Sequence, residues 1–451
     1  MNNSLSSDKI ELFERLKVSK AVAKLAVPTV VGSLVMILYN LTDTFFVGML
    51  DDPIETTAVT LIAPLILLFN AVNNLFGVGT GSMMSRALGQ KDYESVRRTA
   101  SFGFYAALLS GLFFSIASLL FRDPILQLLG SGEADRQATV AYMKWTVLFG
   151  ATPAILNVVL GNMVRSEGCA LHATVGTVSG CLLNILLDPF FILPRYLGLG
   201  AEGAGLATCL ANSAACLYFF AYMLLKRKSS FVNASPSYAI PGRRIVKEVF
   251  GVGIPAAIQN ILNVSGMTIL NNRMAFYGAE AVSAMGIAHK IAMLPMYVSM
   301  GIGQGIMPLV GYNYASGNKQ RIRDTLFFTI KISGVLVLLI AGSFLAFPRA
   351  IMQTFMENKL VVDYGSAFLR GLSFASSFLA MDFLAVGVFQ ACGLGKYSFR
   401  FAIARKILLE IPAILLLDLL FPMYGIAYSQ LIAESVLAIF AVILLRRIIR
   451  D

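Results

Sequence analysis

Asp43 lies inside an apolar run that extends from about Ala21 to Leu50, long enough to cross the ~30 Å hydrocarbon layer of a bilayer. A charge at mid-bilayer costs roughly 2.5–3.5 kcal/mol even on the mildest scales, so a lipid-facing carboxylate is disfavoured there. Asp43 is therefore read as facing a polar cavity, where a carboxyl can bind a proton or a cation. The alternative is a structural carboxylate tied to backbone or to Asn40. Other polar groups stand at comparable depth: Asp382, Glu410 and Glu434 in later runs, and His289 beside Lys290. Lys290 is expected to face a cavity or a carboxylate, because lipid would not solvate it. Asn70, Asn73 and Asn74 cluster on a second run, where they suit substrate contacts. Tyr39 could wall a flat organic cation. Asn184 and Asp188, at i and i+4, share one helical face. Pro189 follows at once and is expected to disrupt that helix, leaving carbonyls free.

The elements that must position these groups are membrane spans. Apolar residues make up 57% of the chain and charged residues only 14%, with a mean hydropathy of +0.74. A soluble protein would carry about a quarter charged residues. About twelve runs reach spanning length, and no polar block is long enough for a separate soluble domain. The net charge of +11 maps to alternate connections: Lys9 to Lys24, Arg86 to Arg98, Lys226 to Lys247, Lys319 to Lys331, Lys396 to Lys406 and Arg446 to Arg450. By the positive-inside rule those connections and both termini are cytoplasmic. The basic balance is thus topology with some attraction to anionic lipid heads, and nucleic acid is not an expected partner. Cys169, Cys181, Cys209, Cys216 and Cys392 imply no disulfide framework, and no His, Cys or Asp cluster has metal-ligand spacing. The N-terminus is polar through Lys20, so no cleaved signal peptide is expected. Residues 7–17 suit a short amphipathic helix on the inner membrane surface, with Asp8 and Glu11 spaced as a capping box.

The chain repeats itself weakly. GVGTGSMMSRALGQKDYESVRR at 77–98 matches GIGQGIMPLVGYNYASGNKQRIR at 301–323. Gly77, Gly79, Gly81 and Met83 recur as Gly301, Gly303, Gly305 and Met307, and Pro28 and Pro255 open the first span of each half. The expected organisation is a cytoplasmic segment (1–20), an N-lobe of six spans (21–226), a cytoplasmic linker (227–246) and a C-lobe of six (247–447). Six spans per half make the repeats parallel, about an axis along the membrane normal. The fold class is an all-α polytopic membrane protein, two six-helix bundles around a central cavity.

Several local motifs then take on a common identity. Pro28 is followed fifteen residues later by Asp43 in LTDTFFVG (41–48). The second span ends in the Gly-rich segment above. VRSEG (164–168) leads into NILLDPFFI (184–192), and GAGLATCLAN (203–212) has FQACGLGK (389–396) as a later companion. In this order and spacing the chain resembles the multidrug and toxic compound extrusion (MATE) family, in its MepA-like branch, across roughly residues 20–447. The resemblance implies an antiporter that expels amphipathic, mostly cationic organic compounds by alternating access, driven by a proton or sodium. It implies a coupling pocket in the first lobe at Asp43, Asn184 and Asp188, with Asn157, Asn162 and Thr208 lining it. Some sodium-coupled members place a Glu on the seventh span. Here that span carries Gln259, Asn260, Asn263, Asn271 and Asn272 and no acid.

The resulting expectation is a proton-coupled multidrug exporter of the cell membrane, with no enzymatic activity and no cofactor beyond H+ or Na+. It would act as a monomer among membrane lipids. Tyr39, Asn40 and Asn74 are expected in the substrate cavity, Pro28 at a helix bend or static kink, and Asp382, Gln259 and Lys290 in a possible second-lobe site. Arg165 and Glu167 are read as a cytoplasmic gate pair or a solvated one. A lipid-linked oligosaccharide flippase is the nearest alternative, but it would want Arg and Lys for pyrophosphate, and the spans offer few beyond Lys290, Arg273 and Arg370. A membrane-embedded transferase would need paired Asp clusters for magnesium, which are missing.

Overall fold

The structure, a computed structural model, describes residues 7–50 and 52–450. Every regular element among them is helical, as a bilayer demands, because a helix satisfies its own backbone groups where no water can. The crossings are α1 (Val18–Gly48), α2 (Pro53–Gly89), α3 (Tyr93–Leu120), a pair bent by 42° that forms α4 (Arg136–Phe149 and Ala151–Ser166), α5 (Ala170–Ile192), α6 (Gly200–Leu225), α7 (Arg243–Ala275), α8 (Ala279–Ala315), α9 (Lys319–Ala346) and α10 (Lys359–Ala391). Two further helical stretches bring the described crossings to the expected twelve: α11, built from Gly395–Ile403, Ala404–Glu410 and Ile411–Leu420, and α12 (Ser429–Arg450). Side chains close the helix starts. Asp52 accepts from Ile54 N–H at 2.8 Å ahead of Pro53, and Asp92 and Asn318 cap α3 and α9 in the same way, each satisfying an otherwise orphaned donor. Pro189 does not end α5, which runs on to Ile192. A proline removes one helical hydrogen bond, and breaking the whole turn in lipid would cost more. Pro28 likewise sits within an unbroken α1.

The chain forms two compact units, and the division falls inside helices. The first unit takes in the N-terminal segment up to Arg15 and Leu34–Ala257. The second takes in Leu16–Ser33 and Ile258–Asp451. Thus α1 changes unit after Ser33, and α7 after Ala257.

Glycines make these exchanges fit. In the first unit, a Cβ on Gly79 would stand 2.4 Å from the Val249 carbonyl oxygen, and one on Gly253 only 2.0 Å from that of Leu75. So α2 and the early half of α7 touch backbone to backbone. In the second unit, a Cβ on Gly305 would stand 2.7 Å from Ala26 Cα, so α8 meets the early half of α1 in the same way. Such contact is the means by which helices associate where lipid removes the hydrophobic incentive.

The repeat register differs from the one the glycines suggest in sequence. Gly79 and Gly305 both face the first helix of the opposite half, whereas Gly77 faces α4 at Asn162 and Gly303 faces α10 at Phe383. Gly79 therefore corresponds to Gly305, and Gly77 to Gly303, a slip of two residues from the first matching. Two residues turn a helix by about 200°, to its opposite face. The flanking turns agree. Lys91 (φ 59°) before the Asp92 cap answers Gly317 (φ 76°) before the Asn318 cap.

Gly253→Ala should lower the thermal midpoint of the purified protein by the equivalent of about 1–3 kcal/mol, the usual cost of overpacking. Gly251→Ala, with nothing within 4 Å of its Cβ, should leave the midpoint level or raise it slightly. Equal effects in thermal melts of the two variants would show that the α2–α7 approach does not govern stability.

Candidate functional site

In the first unit α1, α5 and α6 bring their polar residues together. Asn184 and Asp188 are buried, at 1% and 0% exposure, on one face of α5. With its amide set to satisfy both neighbours, Asn184 donates to Asp188 Oδ2 at 3.0 Å and accepts from the Thr208 N–H of α6 at 3.1 Å. The Tyr39 hydroxyl of α1 hydrogen-bonds with Thr208. Asp43 lies one turn further along α1, close enough for its charge to act on Asp188 and on Tyr142 of α4, which also senses Asp188. A second layer holds α4 to α6. Asn157 donates to Asn212 Oδ1 at 3.2 Å, and Asn212 donates to the Thr208 carbonyl at 3.0 Å. Among the described residues these two carboxyls form no ion pair, and they are set among hydroxyls and amides. Such a pair could take up a proton or a small cation, since two carboxylates at close range repel.

Asn162, expected to line the pocket, does not join the group. Asn162 donates to Val158 O and accepts from Arg165 Nη1 at 3.0 Å, packed against Gly77. Asn40 and Asn74 each bond back to a carbonyl one turn earlier, Met36 and Asn70. Tyr142 and Asn212 were not foreseen. Asn212 shares with Thr208 the i, i+4 spacing that singled out Asn184 and Asp188, and that signal could have found it.

Arg165 and Glu167 do not pair. Arg165 serves Asn162, and Glu167 is the fully buried centre of a clasp at the inner end of the first unit. Lys9 Nζ donates to Glu167 Oε2 at 3.0 Å and to Ser229 O at 2.9 Å. Phe231 N–H donates to Glu167 Oε2 at 2.8 Å, and Ser230 Oγ to Oε1 at 2.5 Å. Leu12 and Phe13 are buried against Gly168, whose φ of +86° suits only glycine without strain. The N-terminal segment thus packs on protein, and the start of the linker is strapped beneath it.

In the second unit charged side chains form a buried knot. Arg405 and Lys406 are buried, at 6% and 8% exposure, although the sequence places them at the end of a basic connection. Arg405 Nε donates to Glu434 Oε1 at 2.8 Å, and Lys406 Nζ to Glu410 Oε1 at 2.6 Å. Asp382 (1% exposed) shares with Gln259 and Arg405 the lining of a cavity of about 10 Å³, room for one water. Lys290 is exposed and lines no part of that cavity. Among the described residues no group of three His, Cys, Asp or Glu is disposed to hold a metal.

Among the described residues, ten crossings long and apolar enough to span a bilayer (the bent pair taken as one), an internal repeat and acids buried among the helices define a multi-pass membrane protein. The MatE family profile matches the chain twice, over residues 28–190 and 255–416, once per repeat and starting at Pro28 and Pro255. The multidrug export protein MepA of Staphylococcus aureus (strain MRSA252) is 30% identical over 448 residues, covering 99% of this chain and 97% of the relative. MepA of Staphylococcus haemolyticus is 31% identical over 439 residues, 97% of this chain and 95% of the relative. An outward-facing structure of a multidrug resistance MATE transporter of the MOP superfamily superposes with a TM-score of 0.92 at 25% identity, covering 99% of both chains. The chain belongs to the MatE family: it is a membrane transporter and not an enzyme.

Lys9→Met should cost about 3–5 kcal/mol, because it leaves the buried Glu167 charge unpaired. Faster proteolysis within residues 227–243 and a lower thermal midpoint would register the loss, and unchanged cleavage would remove the clasp. Burial pulls the Lys9 pKa down, yet the Glu167 charge and hydrogen bond outweigh it and hold it above the ordinary 10.5. The stabilisation is therefore complete below pH 10.5 and is lost only as pH rises through the higher folded value.

Proposed function

We propose that the chain is a proton-coupled antiporter that expels amphipathic organic cations from the cell by alternating access, through the cell membrane in which it is a multi-pass protein with both termini cytoplasmic. The observation that carries this reading is the pair of carboxyls, Asp43 and Asp188, set with Asn184, Thr208, Tyr39 and Tyr142 in one pocket of the first unit. The MepA relatives, multidrug export proteins by name, support the same reading.

The pocket's charges are both negative, which suits a cation and not the pyrophosphate of a lipid-linked sugar. A proton bound there neutralises one carboxylate. That weakens the site's attraction for an organic cation and removes the repulsion between Asp43 and Asp188. Tyr39 and Asp43 lie one turn apart on α1, so a change of charge at Asp43 reaches the Tyr39–Thr208 contact directly. Exchange then follows from competition: drug and proton do not share the pocket. A proton exchanged for a singly charged drug cation moves no net charge, so the pH gradient drives the exchange, and one pH unit, about 1.4 kcal/mol, supports a drug gradient of about tenfold.

Asp43→Asn should reduce ethidium efflux from overexpressing cells to the level of cells without the transporter, at matched membrane abundance. Wild-type efflux should track the pH gradient and ignore the sodium gradient. Efflux that follows sodium in the wild type, or survives in Asp43→Asn, would refute coupling at this pocket. Loss of folded protein in the variant would make Asp43 structural.

A further inference from the structure

The two repeats put different chemistry at one position. Gly168 (φ +86°) after α4 answers Gly393 (φ +76°) after α10. Eleven residues before them stand Asn157 and Asp382. Gly203 and Gly425 are a second anchor, since each would press its Cβ on a carbonyl of the preceding helix, Phe191 O at 2.4 Å and Leu417 O at 2.2 Å. Nine residues after them stand Asn212 and Glu434. The Asn157–Asn212 hydrogen bond of the first unit thus corresponds to a pair of acids in the second, Asp382 and Glu434, brought together at Arg405: Asp382 lines one cavity with Arg405, and Arg405 bonds Glu434. Two amides make such a bond unaided, whereas two carboxyls make it only with a proton between them or a cation beside them.

The cation beside them is already there. Twelve residues after Gly168 and Gly393 stand Gly180 and Arg405. Where the first unit has no side chain and α5 closes on Ala211 of α6, the second inserts a guanidinium. Arg405 bonds Glu434 Oε1 through both Nε and Nη2, with its plane over Phe383 at 5.4 Å. Lys406 is committed to Glu410, and His289 faces that second pair. Two ion pairs therefore account for two of the three carboxylates. Among the described residues no donor meets Asp382 Oδ1, Asp382 Oδ2 or Glu434 Oε2. One proton on the Asp382–Glu434 pair makes the whole knot neutral. A sodium ion would need several oxygen ligands at about 2.3–2.6 Å, as hard cations do, and it would have to take them from beside the guanidinium.

We propose that Arg405 is a resident counter-ion that reserves the Asp382–Glu434 pair for a single proton and keeps sodium out, so that it sets ion specificity in the second unit. The proposal rests on the transporter reading only in that the ions are coupling ions, and it is tested by binding without transport. The full-length protein is purified in detergent, and its thermal midpoint is followed by Trp145 fluorescence in sodium chloride against choline chloride at equal ionic strength. The wild type should show no sodium-specific shift. Arg405→Gln should gain a saturable rise of about 2–4 °C, which Arg405→Gln with Asp382→Asn should lose. If Arg405→Gln does not fold, Arg405→Gln with Glu434→Gln removes both charges of the buried pair, a milder change than removing one. It should bind sodium through Asp382 and the new amide oxygens. A sodium shift in the wild type that Asp382→Asn abolishes would overturn the proposal, as would a folded Arg405 variant blind to sodium. Neither result depends on whether Asp43 couples export to protons.

Discussion

Nothing in the hydrocarbon layer can solvate a charge, and most of this molecule follows from that. Backbone groups must be satisfied within helices, so the prolines of α1, α5 and α7 are carried inside them without breaking them. Helices gain nothing by hiding apolar surface from lipid, so they associate by close approach, and Gly79, Gly253 and Gly305 permit it. Ionisable side chains gather in places where each can find a partner or a proton. Away from them the surface is plainly apolar, with Phe113, Leu217 and Leu339 about two-thirds exposed, as lipid-facing side chains are expected to be.

The exchange of half-helices gives the internal repeat its physical meaning. Early α7 is packed within the first unit and early α1 within the second, and in each case a glycine of the partner repeat's second helix receives it. A larger residue at Gly79 or Gly305 would separate backbones, not side chains. The glycines are thus constrained by a contact made more than 150 residues away in the chain, which is why they survive in both halves while the residues around them differ.

How much of this was legible beforehand depended on whether a residue's meaning was local. Asp43 announced itself because a carboxylate in an apolar run is costly wherever the run packs. Asn184 and Asp188 followed from spacing and family likeness, and the structure places them side by side. Arg405 and Lys406 were hidden because they close a basic stretch that begins at Lys396, and only the fold shows them buried against Glu434 and Glu410. The glycine match was two residues out of register because identity of type says nothing about which face a residue occupies. Glu167 was misread for a related reason: its partner, Lys9, stands 158 residues away, beyond any local pattern. Fold class was legible from apolar run length alone, since helices are the economical way to hide a backbone in lipid.

The two units also show how one scaffold can arrange buried carboxyls in opposite ways. In the first, an amide pair, Asn157 and Asn212, ties α4 to α6 without charge, and among the described residues no cationic side chain pairs with the acids nearby. On the proposed reading, that leaves their protonation free to vary. In the second, the same tie is made by acids, and Arg405 and Lys406 lock two of them into ion pairs. Removing one member of such a pair is far more disruptive than never having had it. A fixed knot of this kind resists change, whereas a pair of unpartnered carboxyls invites it. On the reading proposed above, the first unit's carboxyls respond to ions and Arg405 leaves the second unit's acid pair room for a single proton. The helix α1 belongs to both units. It carries Asp43 on the side of Ser33 that belongs to the first unit and Pro28 on the side that belongs to the second.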